Sequence, residues 1–207
     1  MKHKKSSKNW IDRHVNDEYV KLAQKEGYRS RAAFKLIEIN ERDLLLKSGI
    51  TVVDLGAAPG GWSQVARKKI GRTGRVFALD ILEMEPIQEV EFIQGDFRDD
   101  KVLDEFTRLL GDAEVDLVIS DMAPNVTGIA TVDQPRSMYL CELALDFSRN
   151  NLKRGGSMAL KVFQGEGFDG FVHDMHASFG KVVTRKPKAS RAQSREVYLV
   201  GSNFKGL

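Results

Sequence analysis

One cysteine, Cys141, is all the thiol chemistry the chain has, so no disulfide can form within it. A reducing compartment is the expectation. Cys141 falls in a predicted helix, 136–151, and reads as a packing residue rather than a nucleophile. Long apolar runs are also missing: no stretch approaches the ~20 residues that a bilayer-spanning helix needs. The start, Met1-Lys2-His3-Lys4-Lys5, is basic but runs into polar Ser6-Ser7-Lys8-Asn9, unlike the apolar body of a secretory signal. A cytoplasmic protein with no membrane partner is expected. Histidine is scarce, with four in all. His173 and His176, three apart on a predicted helix, lack a third ligand, so no metal site is expected. Repeats and low-complexity tracts are absent, and 207 residues suffice for one core. The chain reads as a single domain, with a basic helical segment over 1–47 and an α/β core over 48–207.

Acid is sparse at both ends and concentrated in the middle. Residues 1–47 carry 12 Lys/Arg against 7 Asp/Glu, residues 80–116 carry 3 against 13, and residues 181–207 carry 7 against 1. If the two basic ends meet on one face, they form a groove for a polyanion. Lys2, Lys4, Lys5, Lys8, Arg29 and Arg31 from one end, with Lys181, Arg185, Lys186, Lys188, Arg191 and Arg195 from the other, are the expected phosphate contacts.

Between these ends, apolar runs alternate with helical stretches, the rhythm of a β-α-β sheet. The pattern predicts strands over 51–56, 75–81, 90–94, 115–121, 157–163, 181–184 and 196–201. Helices are predicted over 17–25, 30–40, 62–70, 100–110, 136–151 and 168–179, the first two joined at Gly27. Too few residues separate the last two strands for a crossover helix, so they should pair antiparallel. The expected fold is a doubly wound α/β sandwich: a mixed seven-stranded sheet, helices on both faces, and the C-terminal strand at the sheet edge.

The most informative segment is Asp54-Leu55-Gly56-Ala57-Ala58-Pro59-Gly60-Gly61-Trp62. It ends a β-branched run and opens a helix, so a ligand can press against bare backbone at the carboxyl edge of a sheet. A Walker loop would end in Gly-Lys-Ser/Thr, but Trp62 follows Gly61. A dinucleotide fingerprint would place glycine where Ala58 stands. Such a turn suits a ligand whose charge lies elsewhere, such as S-adenosylmethionine with its sulfonium.

Other strand ends supply polar groups. Asp80 closes the second strand, where an acid can accept both ribose hydroxyls of a nucleoside. Asp96, in Gly95-Asp96-Phe97, is placed for an adenine amino group. Asp121 ends the fourth strand, and Lys161 sits inside apolar Leu160-Lys161-Val162-Phe163. A lysine in such a run needs a partner, and Asp121 on the neighbouring strand is the one expected. Lys35, in Arg29-Ser30-Arg31-Ala32-Ala33-Phe34-Lys35, and Glu196, after Ser190-Arg191-Ala192-Gln193-Ser194-Arg195, are not grouped with these by spacing alone.

A family resemblance does group them. From Trp10 to about Val200 the chain resembles the FtsJ/RrmJ family of ribosomal RNA 2′-O-ribose methyltransferases. The match is carried by residues 55–64, 120–125, 160–167 and 190–198. It implies a Rossmann-like methyltransferase fold, S-adenosyl-L-methionine as methyl donor, and a catalytic Lys-Asp-Lys-Glu tetrad falling on Lys35, Asp121, Lys161 and Glu196. The implied cofactor contacts are Gly60, Trp62, Asp80, Asp96 and Asp121. The implied substrate is an A-loop uridine of 23S rRNA within the assembled large subunit, and the implied state is a monomer. Lys161 would be the base or the group that steers the attacking oxygen. Rival readings are a transfer-RNA or messenger-cap 2′-O-methyltransferase, a small-molecule methyltransferase, and a non-catalytic ribosome-assembly factor. The intact tetrad argues against the last.

Overall fold

The computed structural model describes residues 17–125 and 127–206; Lys2, Lys4, Lys5 and Lys8 lie outside them. The Asp17 carboxylate accepts the Tyr19 N–H at 3.0 Å and caps α1 (Glu18–Glu26), which ends at Gly27 in the left-handed region. A short turn leads to α2 (Ala33–Asp43), three residues later than the pattern predicted. The α/β core follows as β1 (Thr51–Leu55), α3 (Gly61–Ile70), β2 (Arg75–Asp80), β3 (Val90–Gln94), α4 (Asp100–Leu110), β4 (Val115–Ser120), α5 (Ala130–Asn151), β5 (Leu152–Phe163), α6 (Phe168–Ser178), β6 (Phe179–Arg185) and β7 (Glu196–Phe204). No helix of the described residues is long and apolar enough to cross a membrane.

The seven strands run in the order β3-β2-β1-β4-β5-β7-β6. Strands β1 to β5 pair in parallel, and β7 lies antiparallel to both β5 and β6. The expected antiparallel pairing of the last two strands is therefore present, but the C-terminal strand is not at the edge. It is inserted between β5 and β6. Val197 to Gly201 are all buried, whereas β6 exposes Gly180, Lys181 and Thr184, so the more apolar strand takes the interior and the more polar one the rim.

Strand alternation sorts the core into two layers. Val53, Leu55, Phe77, Leu79, Val118, Leu160 and Leu199 face α4, α5 and α6. Val52, Val76, Leu117, Ile119, Ala159, Tyr198 and Val200 face α2 and α3. Cys141 is buried in the first layer, and desolvation pushes its thiol up to about 12, so it packs as an apolar group with little thiolate to react. Two further elements depart from the sequence reading. Helix α5 starts six residues early with Pro135 inside it. The Asp133 carboxylate folds the approach by accepting the Thr127 and Gly128 N–H groups at 2.8 and 2.9 Å. Strand β5 begins at Leu152 rather than 157, because Lys153 to Gly155 continue it as an exposed stub.

Phe106 on α4 is fully buried, with its ring 5.9 Å from Phe147. Truncating a buried aromatic leaves a cavity as well as losing transfer energy. Phe106→Ala should therefore cost about 3–5 kcal/mol of unfolding free energy, read by urea denaturation.

Candidate active site

All the strand-end residues predicted for the site stand along the carboxyl edge of β1, β2, β3, β4 and β5. At the centre is the turn after β1. Gly56 and Ala57 both donate to the Leu79 carbonyl, at 2.8 and 3.2 Å, which draws the turn over the end of β2. Gly56 lies at φ +75° with Met122 packed against the face where a Cβ would be, so any side chain there would collide. Gly60, at φ +105°, opens α3 without a side-chain cap, leaving the positive end of that helix facing the turn.

Asp80 is buried and holds this turn in place: one carboxylate oxygen accepts the Ala58 N–H and the other the Leu82 N–H, each at 2.8 Å. The next two residues, Ile81 and Leu82, are 57% and 63% exposed, an apolar surface beside the acid that the sequence reading did not single out. Asp96 sits at the tip of the neighbouring β3 but is occupied. Arg98 Nη2 and Nε reach it at 2.6 and 2.9 Å, and these bonds hold its carboxyl below the ordinary range. Trp62 is placed differently from the other predicted cofactor contacts. Its indole is buried against α2, donates to the Ala32 carbonyl at 2.8 Å and packs 5.7 Å from the Tyr198 ring. Only its backbone is left at the helix start.

Beneath the turn lies Asp54, quoted in the sequence motif but given no role there. It is 1% exposed; Ser63 Oγ donates to one oxygen at 2.6 Å, while the other is buried without a hydrogen-bond partner among the described residues. Burial, followed by the charges of Asp121 and Asp80, raises its carboxyl to about 7, against the opposing pull of the Ser63 bonds.

The four residues of the implied tetrad come together around Asp121. Lys161 Nζ lies 3.2 Å from Asp121 Oδ1 and donates to the Asp121 carbonyl at 2.5 Å. Lys35, reaching in from α2, is 2.9 Å from Glu196 Oε1 and 3.9 Å from Asp121 Oδ1. Strand register explains the convergence: β5 pairs with β7 so that Lys161 faces Tyr198 and Phe163 faces Glu196. Tyr198 is a fifth member that sequence reasoning missed as a functional group. Its hydroxyl donates to Asp121 Oδ1 at 2.6 Å, and the Lys35 ammonium lies 5.5 Å from its ring centroid. Desolvation, then the Asp121 and Glu196 charges, push the phenol well above its usual value, so it remains a donor. Burial pushes Glu196 up, but the charge and hydrogen bond of Lys35, with Ser190 and the Lys161 charge, together bring the carboxyl below its usual value.

Several of the expected phosphate contacts are engaged within the fold. Arg29 spends its guanidinium on the Pro59, Glu85 and Pro86 carbonyls. Arg31 is held by Asp17 and the Ala189 carbonyl, and Arg185 by Asp43. Lys186 donates to the carbonyls of Ser194 and Glu196. Lys188, Arg191 and Arg195 have no ion-pair partner among the described residues and lie in the loop that leads to Glu196.

This strand order, with a glycine turn after β1 and acids at the tips of β2 and β3, defines a Rossmann-like methyltransferase fold. Residues 28–204 match the FtsJ-like methyltransferase family, and the chain belongs to it. Among curated relatives, "Ribosomal RNA large subunit methyltransferase E" of Azoarcus sp. is 60% identical over 205 residues, covering 99% of this chain and all of that one. The protein of the same name from Stenotrophomonas maltophilia is 60% identical, covering 95% of this chain and 94% of its own. Among solved structures, a putative ribosomal RNA methyltransferase from Plasmodium falciparum aligns with TM-score 0.77 at 33% identity, over 87% of this chain and 100% of that one. Aeropyrum pernix fibrillarin, solved with natively bound S-adenosyl-L-methionine, aligns with TM-score 0.58 at 18% identity, over 84% and 75%, a likeness of fold.

The buried Asp54 gives a stability test. Its folded carboxyl titrates near 7, above the ordinary 3.8, so the native state binds this proton more tightly than the unfolded chain does. The associated stability is fully present below about pH 4 and lost as pH rises through about 7. Asp54→Asn keeps an acceptor for Ser63 and carries no charge. Its stability relative to wild type should rise between pH 4 and 7, by roughly 4 kcal/mol at most, and then level off. Urea melts at pH 5 and 8 read the difference, and a difference independent of pH would refute it.

Proposed function

We propose that the protein transfers a methyl group from S-adenosylmethionine to the ribose 2′-oxygen of an A-loop uridine in 23S rRNA. It would act on the assembled large ribosomal subunit as a single-domain cytoplasmic monomer. The observation that carries this reading is the buried Lys35–Asp121–Lys161–Glu196 cluster beside the glycine turn. The relatives named above, whose printed names specify large-subunit ribosomal RNA, support the choice of substrate.

The residues around the turn fit the cofactor. When bound, S-adenosylmethionine supplies an electrophilic methyl group on a sulfonium. The start of α3 suits a carboxylate because its dipole and first-turn N–H groups, Trp62 among them, point there, while Gly60, whose own N–H donates to the Ala57 carbonyl at 2.7 Å, offers bare backbone. Each oxygen of a carboxylate has two lone pairs, and Asp80 gives only one per oxygen to backbone N–H groups, so it can still accept two ribose hydroxyls. Ile81 and Leu82 offer apolar surface to a base. Asp96 is nearly saturated by Arg98, so accepting an adenine amino group requires that exposed side chain to yield.

The cluster would orient the nucleophile. An ammonium has three donors; Lys161 directs donors to the Asp121 carbonyl and carboxylate and can turn another to the 2′-oxygen. Asp121, also fixed by Tyr198, thus sets the direction of Lys161, and Glu196 holds Lys35 beside it. Position and electrostatics would be the main contributions, and the hydroxyl proton would pass to a carboxylate of the cluster as the oxygen–carbon bond forms and the sulfur–carbon bond breaks. Lys188, Arg191 and Arg195 grip backbone phosphates, which places the RNA without reading its sequence.

Methyl transfer from labelled S-adenosylmethionine to large subunits lacking the modification tests the reading, with naked 23S rRNA and transfer RNA alongside. Label should appear on a 2′-O-methyluridine in the subunit. Lys161→Ala should cut kcat by about 10²–10⁴-fold with cofactor affinity unchanged. Label confined to transfer RNA would move the enzyme to another substrate, and cofactor binding with no label anywhere would indicate an assembly factor. Reversing Lys188 and Arg191 to Glu should weaken RNA binding and flatten its salt dependence, leaving cofactor affinity alone; unchanged RNA affinity would remove them from the interface.

A further inference from the structure

Arg29 lies in the turn between α1 and α2, where charge counting assigned it to phosphate. Its contacts are of another kind. Nη1 donates to the Pro59 carbonyl at 3.2 Å and to the Glu85 carbonyl at 2.5 Å, and Nη2 donates to the Pro86 carbonyl at 2.9 Å. Pro59 belongs to the glycine turn, whereas Glu85 and Pro86 belong to the loop that follows Asp80. The guanidinium therefore bridges the two segments on either side of the proposed cofactor position. Gly60 makes room for it: a Cβ there would stand 3.1 Å from Arg29 Nη1 and 2.7 Å from Ile87.

The backbone of the same turn is tied down too. Arg29 N–H donates to Gln64 Oε1 at 2.9 Å, Gln64 Nε2 donates to the Gly27 carbonyl at 3.2 Å, and Trp62 Nε1 donates to Ala32. Six residues after Arg29 comes Lys35. No carboxylate among the described residues forms an ion pair with Arg29; carbonyl dipoles alone receive its charge. A planar fork can meet three carbonyls at once, which a lysine ammonium on a flexible stem does far less well.

We infer that Arg29 is a positioning residue for the methyl donor. It locks the Gly56–Gly60 turn to the 81–87 loop and anchors both to the segment that carries Lys35. The inference rests on the methyltransferase reading, and it removes Arg29 from the set of phosphate contacts.

Two titrations on the full chain test it: S-adenosylmethionine binding by calorimetry without RNA, and RNA binding across a salt series without cofactor. Arg29→Ala should weaken cofactor binding about tenfold, leave the urea midpoint near that of wild type, and leave the slope of log K against log salt unchanged. Arg29→Lys should recover less than half of the lost cofactor affinity while binding RNA as wild type does. Should Arg29→Ala not fold, Arg29→Lys decides, because it keeps the charge a phosphate needs and loses the fork. Wild-type cofactor affinity in Arg29→Lys would overturn the inference. So would an RNA salt slope shallower by about 0.7–0.9 in Arg29→Ala, the signature of one lost phosphate contact. A wild type that binds no S-adenosylmethionine would overturn the cofactor reading with it, whereas wild-type binding with unaltered variants overturns the Arg29 inference alone.

Discussion

A single carboxylate oxygen, Asp121 Oδ1, is the point on which the site depends. It accepts the Tyr198 hydroxyl at 2.6 Å, lies 3.2 Å from Lys161 and 3.9 Å from Lys35. Two lysines this little exposed are costly to bury unless acids stand beside them. Asp121 and Glu196 supply that balance, which makes the cluster a closed arrangement of two cations, two anions and one phenol. Removing any one of the four charged members leaves another charge without its closest partner, and removing Tyr198 takes a hydrogen bond from Asp121. The energetics that keep the side chains together are thus the same contacts that aim Lys161.

Sheet topology makes this arrangement possible. Lys161 and Asp121 come from adjacent parallel strands, but Glu196 and Tyr198 arrive only because β7 runs antiparallel between β5 and β6. An all-parallel order would have brought the opposite end of that strand to the carboxyl edge. Lys35 comes from outside the sheet, on a helix packed over the same face as Tyr198. On the other side of the turn, Asp80 fixes backbone rather than standing free.

Much of this was legible from sequence where the signal is local. The strands, the glycine turn and the acids at strand ends follow from two-residue alternation and from polar groups that interrupt apolar runs. Lys161 stood out for the same reason, and its expected partner is the one it has. Legibility failed where a residue's use depends on what lies across the fold. Nothing near Arg29 in sequence reveals carbonyls 30 and 57 residues away. The buried place of the Trp62 indole, turned toward α2 by helix packing, is likewise invisible in the local sequence. The interior place of β7 is set by competition with β6 for burial, which neither strand displays alone. Asp54 was visible as a letter in a motif, but its burial is a property of the assembled layers.

The insertion of β7 also makes the C-terminal strand a condition for the charged cluster. Glu196 and Tyr198 are the last of the cluster to be synthesised, long after Lys35, Asp121 and Lys161. Without β7 in place, Lys35 has no Glu196 to meet and the inner edge of β5 is unpaired. A chain that stops before this strand lacks Glu196 and Tyr198 and so cannot complete the cluster. The architecture thus ties assembly of the charged cluster to completion of the sheet.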